Sequence, residues 1–135
     1  MADVSKSRIE SEVMQIFEDF FRIAQTLDFD RFLSFFDHSE ATTWIDDGFF
    51  ARSWDGLYTA LHPLFSRWAT LELNIEHVHV DILAPGVVAV TGKVTMAGTF
   101  KTGEVIRLRQ AGTYVLIQRD GEWKFRHLQA SSMPD

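Results

Sequence analysis

EVIRLRQAGTYVLIQRDGEWKFRHLQ, from Glu104 to Gln129, reads as two long strands joined by a tight turn at Arg119-Asp120-Gly121-Glu122. Apolar and polar residues alternate on both sides of the turn. Asp-Gly between two such runs is a strong hairpin signal, because both residues tolerate positive φ. A lone hairpin is marginal in water, so this one requires more strands and a helical cover. The rest of the chain supplies both.

Ser7-Arg8-Ile9-Glu10 has the form of a capping box. From there Ile9, Val13, Ile16, Phe17, Phe20, Phe21, Ala24 and Leu27 recur at spacings of three and four. That pattern predicts an amphipathic helix of about five turns at roughly 3.6 residues each. Asp28-Phe29-Asp30 breaks the helix, and Asp30 can cap a short second one bearing Phe32, Leu33, Phe35 and Phe36. Glu40 to Ile45, rich in β-branched and aromatic residues, reads as a strand ending at the turn Asp46-Asp47-Gly48. Phe49 to Arg52 is its expected returning partner.

Ser53 can cap a third helix with Leu57, Leu61, Leu64, Phe65 and Trp68 on one face. Pro63 is expected to kink or split that helix near His62. After Thr70 only strands are predicted: Leu71 to Asp81, then Val87 to Phe100, then the hairpin. Pro85-Gly86 and Lys101-Thr102-Gly103 are the turns between them. Leu71, Leu73 and Ile75 are apolar on odd positions, whereas Val78, Val80 and Ile82 are apolar on even ones. A bulge near Glu76-His77 accounts for the switch, and bulges bend sheets.

The 135 residues suit one domain, 1–135, with a single core. Twelve Phe and four Trp against two Tyr suit a thick core or a pocket lined by rings. A net charge of −6 argues against a binder of nucleic acid, which would show a basic patch. The basic residues of the hairpin alternate between faces and are diluted by Glu104, Asp120 and Glu122. With no cysteine, disulfides, thiol catalysis and thiolate metal sites are all excluded. No window reaches the roughly 20 apolar residues of a membrane span, and MADVSKSRIESE lacks the apolar core of a secretory signal. The expected setting is cytoplasmic, with no membrane partner.

Two local signatures, in this order of elements, resemble the nuclear transport factor 2-like superfamily. That group includes the SnoaL-like polyketide cyclases and the ketosteroid isomerases. The first is Leu27-Asp28-Phe29-Asp30-Arg31-Phe32-Leu33-Ser34-Phe35-Phe36, feeding the Ala41-Thr42-Thr43-Trp44 strand. The second is Asp120-Gly121-Glu122-Trp123-Lys124-Phe125-Arg126-His127, similar to the family's closing strand. The resemblance covers roughly residues 7 to 131 and implies an α+β fold, a cystatin-like roll. Three N-terminal helices pack on a strongly curved antiparallel sheet enclosing a conical pocket, and dimers form through the convex face. Apolar residues on both faces of the hairpin fit that arrangement, since such a sheet needs two coverings.

Ketosteroid isomerases work with an Asp base, a Tyr and a protonated Asp. Carried onto this chain, the three positions fall at Phe20, Ile45 and near Thr113, none with the family's residue. Asp46, one position from Ile45, is the best acid–base candidate; its alternative reading is a solvated turn. His127 shares a phase with Trp123, Phe125 and Gln129, and reads as a pocket base or as a buried, hydrogen-bonded His. Phe20, Trp44, Trp68, Tyr114, Phe125 and Gln129 are the expected pocket residues, with His62 a further candidate for the mouth. His77-x-His79 puts two imidazoles on one strand face but lacks a third metal ligand. No phosphate loop, nucleophile elbow or dinucleotide fingerprint occurs, so no cofactor is implied. Two readings follow. One is a protein that binds an apolar small molecule; the other is a cofactor-free isomerase, cyclase or dehydratase acting by acid–base chemistry on a hydrophobic ring.

Overall fold

The computed structural model describes residues 2–134, with side chains from residue 5 onward, so Met1 and Asp135 of the expected 1–135 domain lie outside the described residues. In chain order the elements are α1 (Ala2–Gln25), α2 (Phe29–Leu33), β1 (Thr43–Asp46), β2 (Phe49–Arg52), α3 (Trp54–Phe65), β3 (Trp68–Ala84), β4 (Val87–Phe100), β5 (Val105–Arg119) and β6 (Glu122–Pro134). The strands form one curved, unclosed sheet in the order β2-β1-β6-β5-β4-β3. Its pairs are antiparallel except β1 with β6, which run parallel.

The helices bury the faces that their spacing predicts. Val13, Phe17, Phe20, Phe21 and Ala24 of α1 are all core residues, joined by Ile23. Phe20 is the hub of an aromatic cluster, 4.4 Å from the Phe125 ring and 4.9 Å from Phe32. Such ring pairs each contribute about 0.5–1.5 kcal/mol beyond area burial.

Helix ends differ from the sequence expectation. The first helix begins at Ala2, not at Ser7, because the residues around Ser7 are helix-competent and gain i,i+4 ion pairs, Lys6–Glu10 and Arg8–Glu12. The cap of α2 is Asp28, not Asp30. Its backbone is extended, and its carboxylate accepts a hydrogen bond from the Arg31 N–H. Pro63 leaves α3 whole to Phe65, because it sits in the last turn and costs only one hydrogen bond. Trp68 falls on the first residue of β3, with its ring 4.6 Å from Phe100 of β4.

The sheet turns where the sequence marks it. Asp120 and Gly121 have φ of 53° and 81°, as do Asp47 and Gly48 at 48° and 87°, so both hairpins use tight turns with two positive φ values. The register of β3 on β4 shifts between Ile75 and His77, the place where the apolar phase switches. A shift in another strand pair lies opposite Val115/Leu116, where Arg126 is the extra residue of β6. Trp123 and Phe125 before it face the core; after it Leu128 and Ala130 do.

One buried acid ties the hairpin to the helices. Asp37, 1% exposed, receives Arg119 Nε at 2.7 Å and Nη2 at 3.1 Å, with Arg126 Nη1 at 3.5 Å. Its N–H donates to the Phe125 carbonyl, and the Thr42 hydroxyl donates to its own carbonyl. Replacing Arg119 and Arg126 together by Met strands this carboxylate. The expected cost in chemical denaturation is about 3–5 kcal/mol, more than the two single losses combined. An additive result would show that each arginine acts alone.

Candidate functional site

The concave face of the sheet is a ladder of inward rungs. Trp44, Leu128, Tyr114 and Val90 are in register across four strands, and the next rung is Asp46, Ala130, Gly112 and Gly92. Of this second rung Asp46 and Ala130 line the concave space, and Ala130 presents only a methyl beside the Asp46 carboxyl. Gly112 is required by close approach, since a Cβ there would lie 2.5 Å from the Gln129 carbonyl oxygen. Beyond it come Ser132 with Gln110, then Leu108, Met96 and Leu73.

Helices roof these rungs and enclose a cavity of about 550 Å³. Phe20, Phe32, Leu61 and Phe65 line the helical side; Trp44, Tyr114, Leu108, Met96, Leu73 and Trp68 line the sheet side. Its mouth carries Asp47, Leu64 and Arg67, all exposed. The volume suits a drug-sized ligand, and the lining is the mainly apolar kind that such sites have.

Asp46 closes β1 and is the acid that faces this space from a half-buried position. Its Oδ1 is buried and has no hydrogen-bond partner among the described residues. Desolvation, then the charge of Asp47, then a hydrogen bond between the two carboxyls push Asp46 from 3.8 up to about 7. Asp47 moves the other way. Desolvation opposes its ionisation, but hydrogen bonds from the Ser132 backbone and from Asp46 prevail and lower it. The Ser132 N–H to Asp47 Oδ1 distance is 2.8 Å. The pair therefore divides its protons unequally, with Asp46 poised near neutrality and Asp47 anionic.

Tyr114 stands in the adjacent rung. Burial, and then the charge of Asp46, raise its hydroxyl well above the ordinary range, so it stays protonated. Its ring is fixed edge-on against Phe17 at 4.9 Å. The geometry combines a carboxyl that can take or give a proton near pH 7 with a neutral hydroxyl that can donate to a developing oxyanion.

The expected site residues separate into two groups. Phe20, Trp44, Asp46, Trp68 and Tyr114 all line the cavity. Phe125 does not; it is fully buried behind Phe20. His127 and Gln129 lie on the opposite face, because the extra residue Arg126 reverses the phase of β6 after Phe125. Asp46 and His127 therefore do not share a cavity. His62 stacks outside α3 on Tyr58, 5.7 Å between rings. Ile45 and Thr113 face away as well, so the inward residues are their neighbours, Asp46 and Tyr114.

His77 and His79 line a wider, solvent-open trough of about 650 Å³ on the convex face, with Thr91, Lys93, Thr113, Gln129 and Ser131. Among the described residues, no group of three or more His, Cys, Asp or Glu could hold a metal ion. Sequence reasoning missed Gln110, Arg67, Met96, Leu108 and Ser132 in the cavity wall. The even-numbered phase of Leu108, Gln110 and Tyr114 was the available signal for the two on β5.

A curved sheet roofed by helices over an apolar cavity, with a single half-buried acid, defines a class of small α+β pocket proteins. The chain belongs to the SnoaL-like domain family, whose sequence profile matches residues 13–135. Among solved structures, LinA is 18% identical with a TM-score of 0.82, over 98% of this chain and 91% of that one. Hexachlorocyclohexane dehydrochlorinase LinA-type3 from Novosphingobium barchaimii LL02 is 17% identical, TM-score 0.78, over 98% and 90%. A nuclear transport factor 2-like superfamily protein from Salmonella enterica serovar Typhimurium LT2 is 11% identical, TM-score 0.86, over 96% and 94%. At these identities the likeness is one of fold. No curated protein matches the chain.

The raised Asp46 carboxyl has a stability consequence with a definite sign. Well below pH 3.8 it is neutral folded and unfolded, and its full contribution is present. As pH rises from 3.8 to about 7 the unfolded chain releases a proton that the fold retains, so stability is lost, and the loss levels off above 7. Asp46→Asn should therefore raise the melting temperature at pH 8 and leave it unchanged near pH 4. The gain expected is about 1–2 kcal/mol, discounted because the group is partly solvated. Melting curves between pH 4 and 8 measure it; a pH-independent difference would contradict the raised pKa.

Proposed function

We propose that the protein binds an apolar, ring-sized small molecule in the cavity, and that Asp46 moves a proton on that ligand without a cofactor. The observation that carries this reading is the Asp46 Oδ1, buried and unpartnered in a mainly apolar wall. A desolvated, unsatisfied carboxyl oxygen costs stability, and such costs concentrate where a ligand group completes the hydrogen bonding. With its pKa at about 7, the group is half ionised at neutral pH and suited to general acid–base work. Tyr114, kept protonated, is the natural donor to a ligand oxygen. The reaction class is proton abstraction next to a carbonyl, or an elimination or isomerisation that begins with it. One structural neighbour is by name a hexachlorocyclohexane dehydrochlorinase, which supports elimination chemistry on a ring in this fold.

The convex face supports the assembly side of the reading. Val115 and Ile117 are half-buried there and Val105 is 63% exposed, so a second copy packed on that face would cover apolar surface. A homodimer and a cytoplasmic setting, with neither nucleic acid nor membrane as partner, complete the proposal. No helix among the described residues is long and apolar enough to cross a membrane.

Deuterium exchange tests the chemistry without knowledge of the natural substrate. Ring ketones such as 2-tetralone and 1-indanone are first ranked by thermal shift, and binders are incubated with the protein in D2O. Exchange at the carbon next to the carbonyl should rise with pH through about 7. It should fall about 10²–10⁴-fold in Asp46→Asn, while binding persists. Ketones that bind without Asp46-dependent exchange would leave a binding protein and no enzyme.

A further inference from the structure

Three charged side chains belong to the cavity wall: Asp46, Asp47 and Arg67. The two acids stand together at the β1–β2 turn, whereas Arg67 comes from the junction of α3 and β3. Arg67 is exposed, forms no ion pair among the described residues, and holds its guanidinium 4.4 Å above the Phe100 ring. Its backbone is anchored, since the Arg67 carbonyl accepts a hydrogen bond from the Lys101 N–H at 2.8 Å.

What sets Arg67 apart is its place, as the cation in the cavity wall. Acids outnumber bases, 19 to 13, and Lys6, Arg8, Arg22, Arg119, Lys124 and Arg126, all away from the cavity, each meet a carboxylate. The cation at the mouth instead rests on a ring. An exposed cation–π contact is weaker than a bidentate, charge-assisted hydrogen bond to a carboxylate, so an arriving anion displaces it at a net gain. Arginine, planar and permanently charged, has the geometry for that exchange.

We infer that Arg67 selects ligands carrying a carboxylate, so that the cavity takes apolar ring acids with the ring inside and the anionic end at the mouth. This rests on the ligand-binding reading above and names its substrate class. Polarity across the mouth sets the orientation: Asp47 repels the carboxylate from the β1–β2 side, and Arg67 draws it to the α3–β3 side. The ring then lies among Trp68, Leu73, Met96, Leu108 and Tyr114, with its far end toward Asp46.

Isothermal titration of two matched probes, 2-naphthoate and 2-naphthamide, tests the inference on the whole protein at pH 8. Wild type should bind the carboxylate about tenfold more tightly than the amide. Arg67→Gln should remove that preference and leave amide affinity unchanged, and Arg67→Lys should restore part of it. A preference that survives Arg67→Gln, or equal affinities in wild type, overturns the role of Arg67 while leaving the cavity reading intact. Failure of both probes to bind, with wild type folded by circular dichroism, overturns the cavity reading itself and the inference with it. Because Arg67 is exposed, its substitution leaves the core untouched.

Discussion

Taking the Asp37 carboxylate out of water costs several kcal/mol unless opposite charges and hydrogen bonds replace its hydration. The fold meets that cost with two guanidiniums from the far hairpin, Arg119 and Arg126, and in doing so decides where the hairpin lies. Phe35, Phe36 and Asp37 then run beside β6 as a short strand would: Phe125 N–H bonds the Phe35 carbonyl, and Asp37 N–H bonds the Phe125 carbonyl. Lys124 Nζ adds a bond to the Ser34 carbonyl at 2.9 Å. After a short loop the chain rejoins the same edge as β1, in register from Thr43 opposite His127 to Asp46 opposite Ala130. The position of Asp46 at the cavity is thus inherited from a contact nine residues earlier.

Arg126 has a second consequence. As the extra residue of a bulge it reverses the phase of β6, so the strand presents Trp123 and Phe125 to the core, then Leu128, Ala130 and Ser132. Strand alternation is legible in a sequence only while no residue is inserted. The bulge at Glu76 was legible because apolar residues on both sides of it change parity visibly. The one at Arg126 was not, because His127 and Gln129 continue the parity of Trp123 and Phe125 as moderately polar residues acceptable on either face. Tight turns at Asp47-Gly48 and Asp120-Gly121, the buried face of α1 and the meander of long strands were all readable, since each depends on local chemistry alone. Asp37 lay beyond reach for the opposite reason: its partners are 82 and 89 residues away, and nothing near it marks it as buried.

Asp37 and Asp46 show how one strand supports two opposite uses of a carboxyl. Both acids are drawn from water against β6, and both lie within ten residues of each other in the chain. Asp37 has both its oxygens engaged by arginines, which makes it a clasp. Asp46 has as its nearest charge another acid, Asp47, so its surroundings favour the proton, and its Oδ1 has no partner. Its rung continues as Ala130, Gly112 and Gly92; a Cβ on either glycine would meet a backbone carbonyl oxygen of a neighbouring strand, so only the Ala130 methyl stands beside the carboxyl. Local cost without local compensation is what the proposed ligand would offset. It separates Asp46 from every other acid described in this chain, and it does so on grounds independent of the likeness in fold.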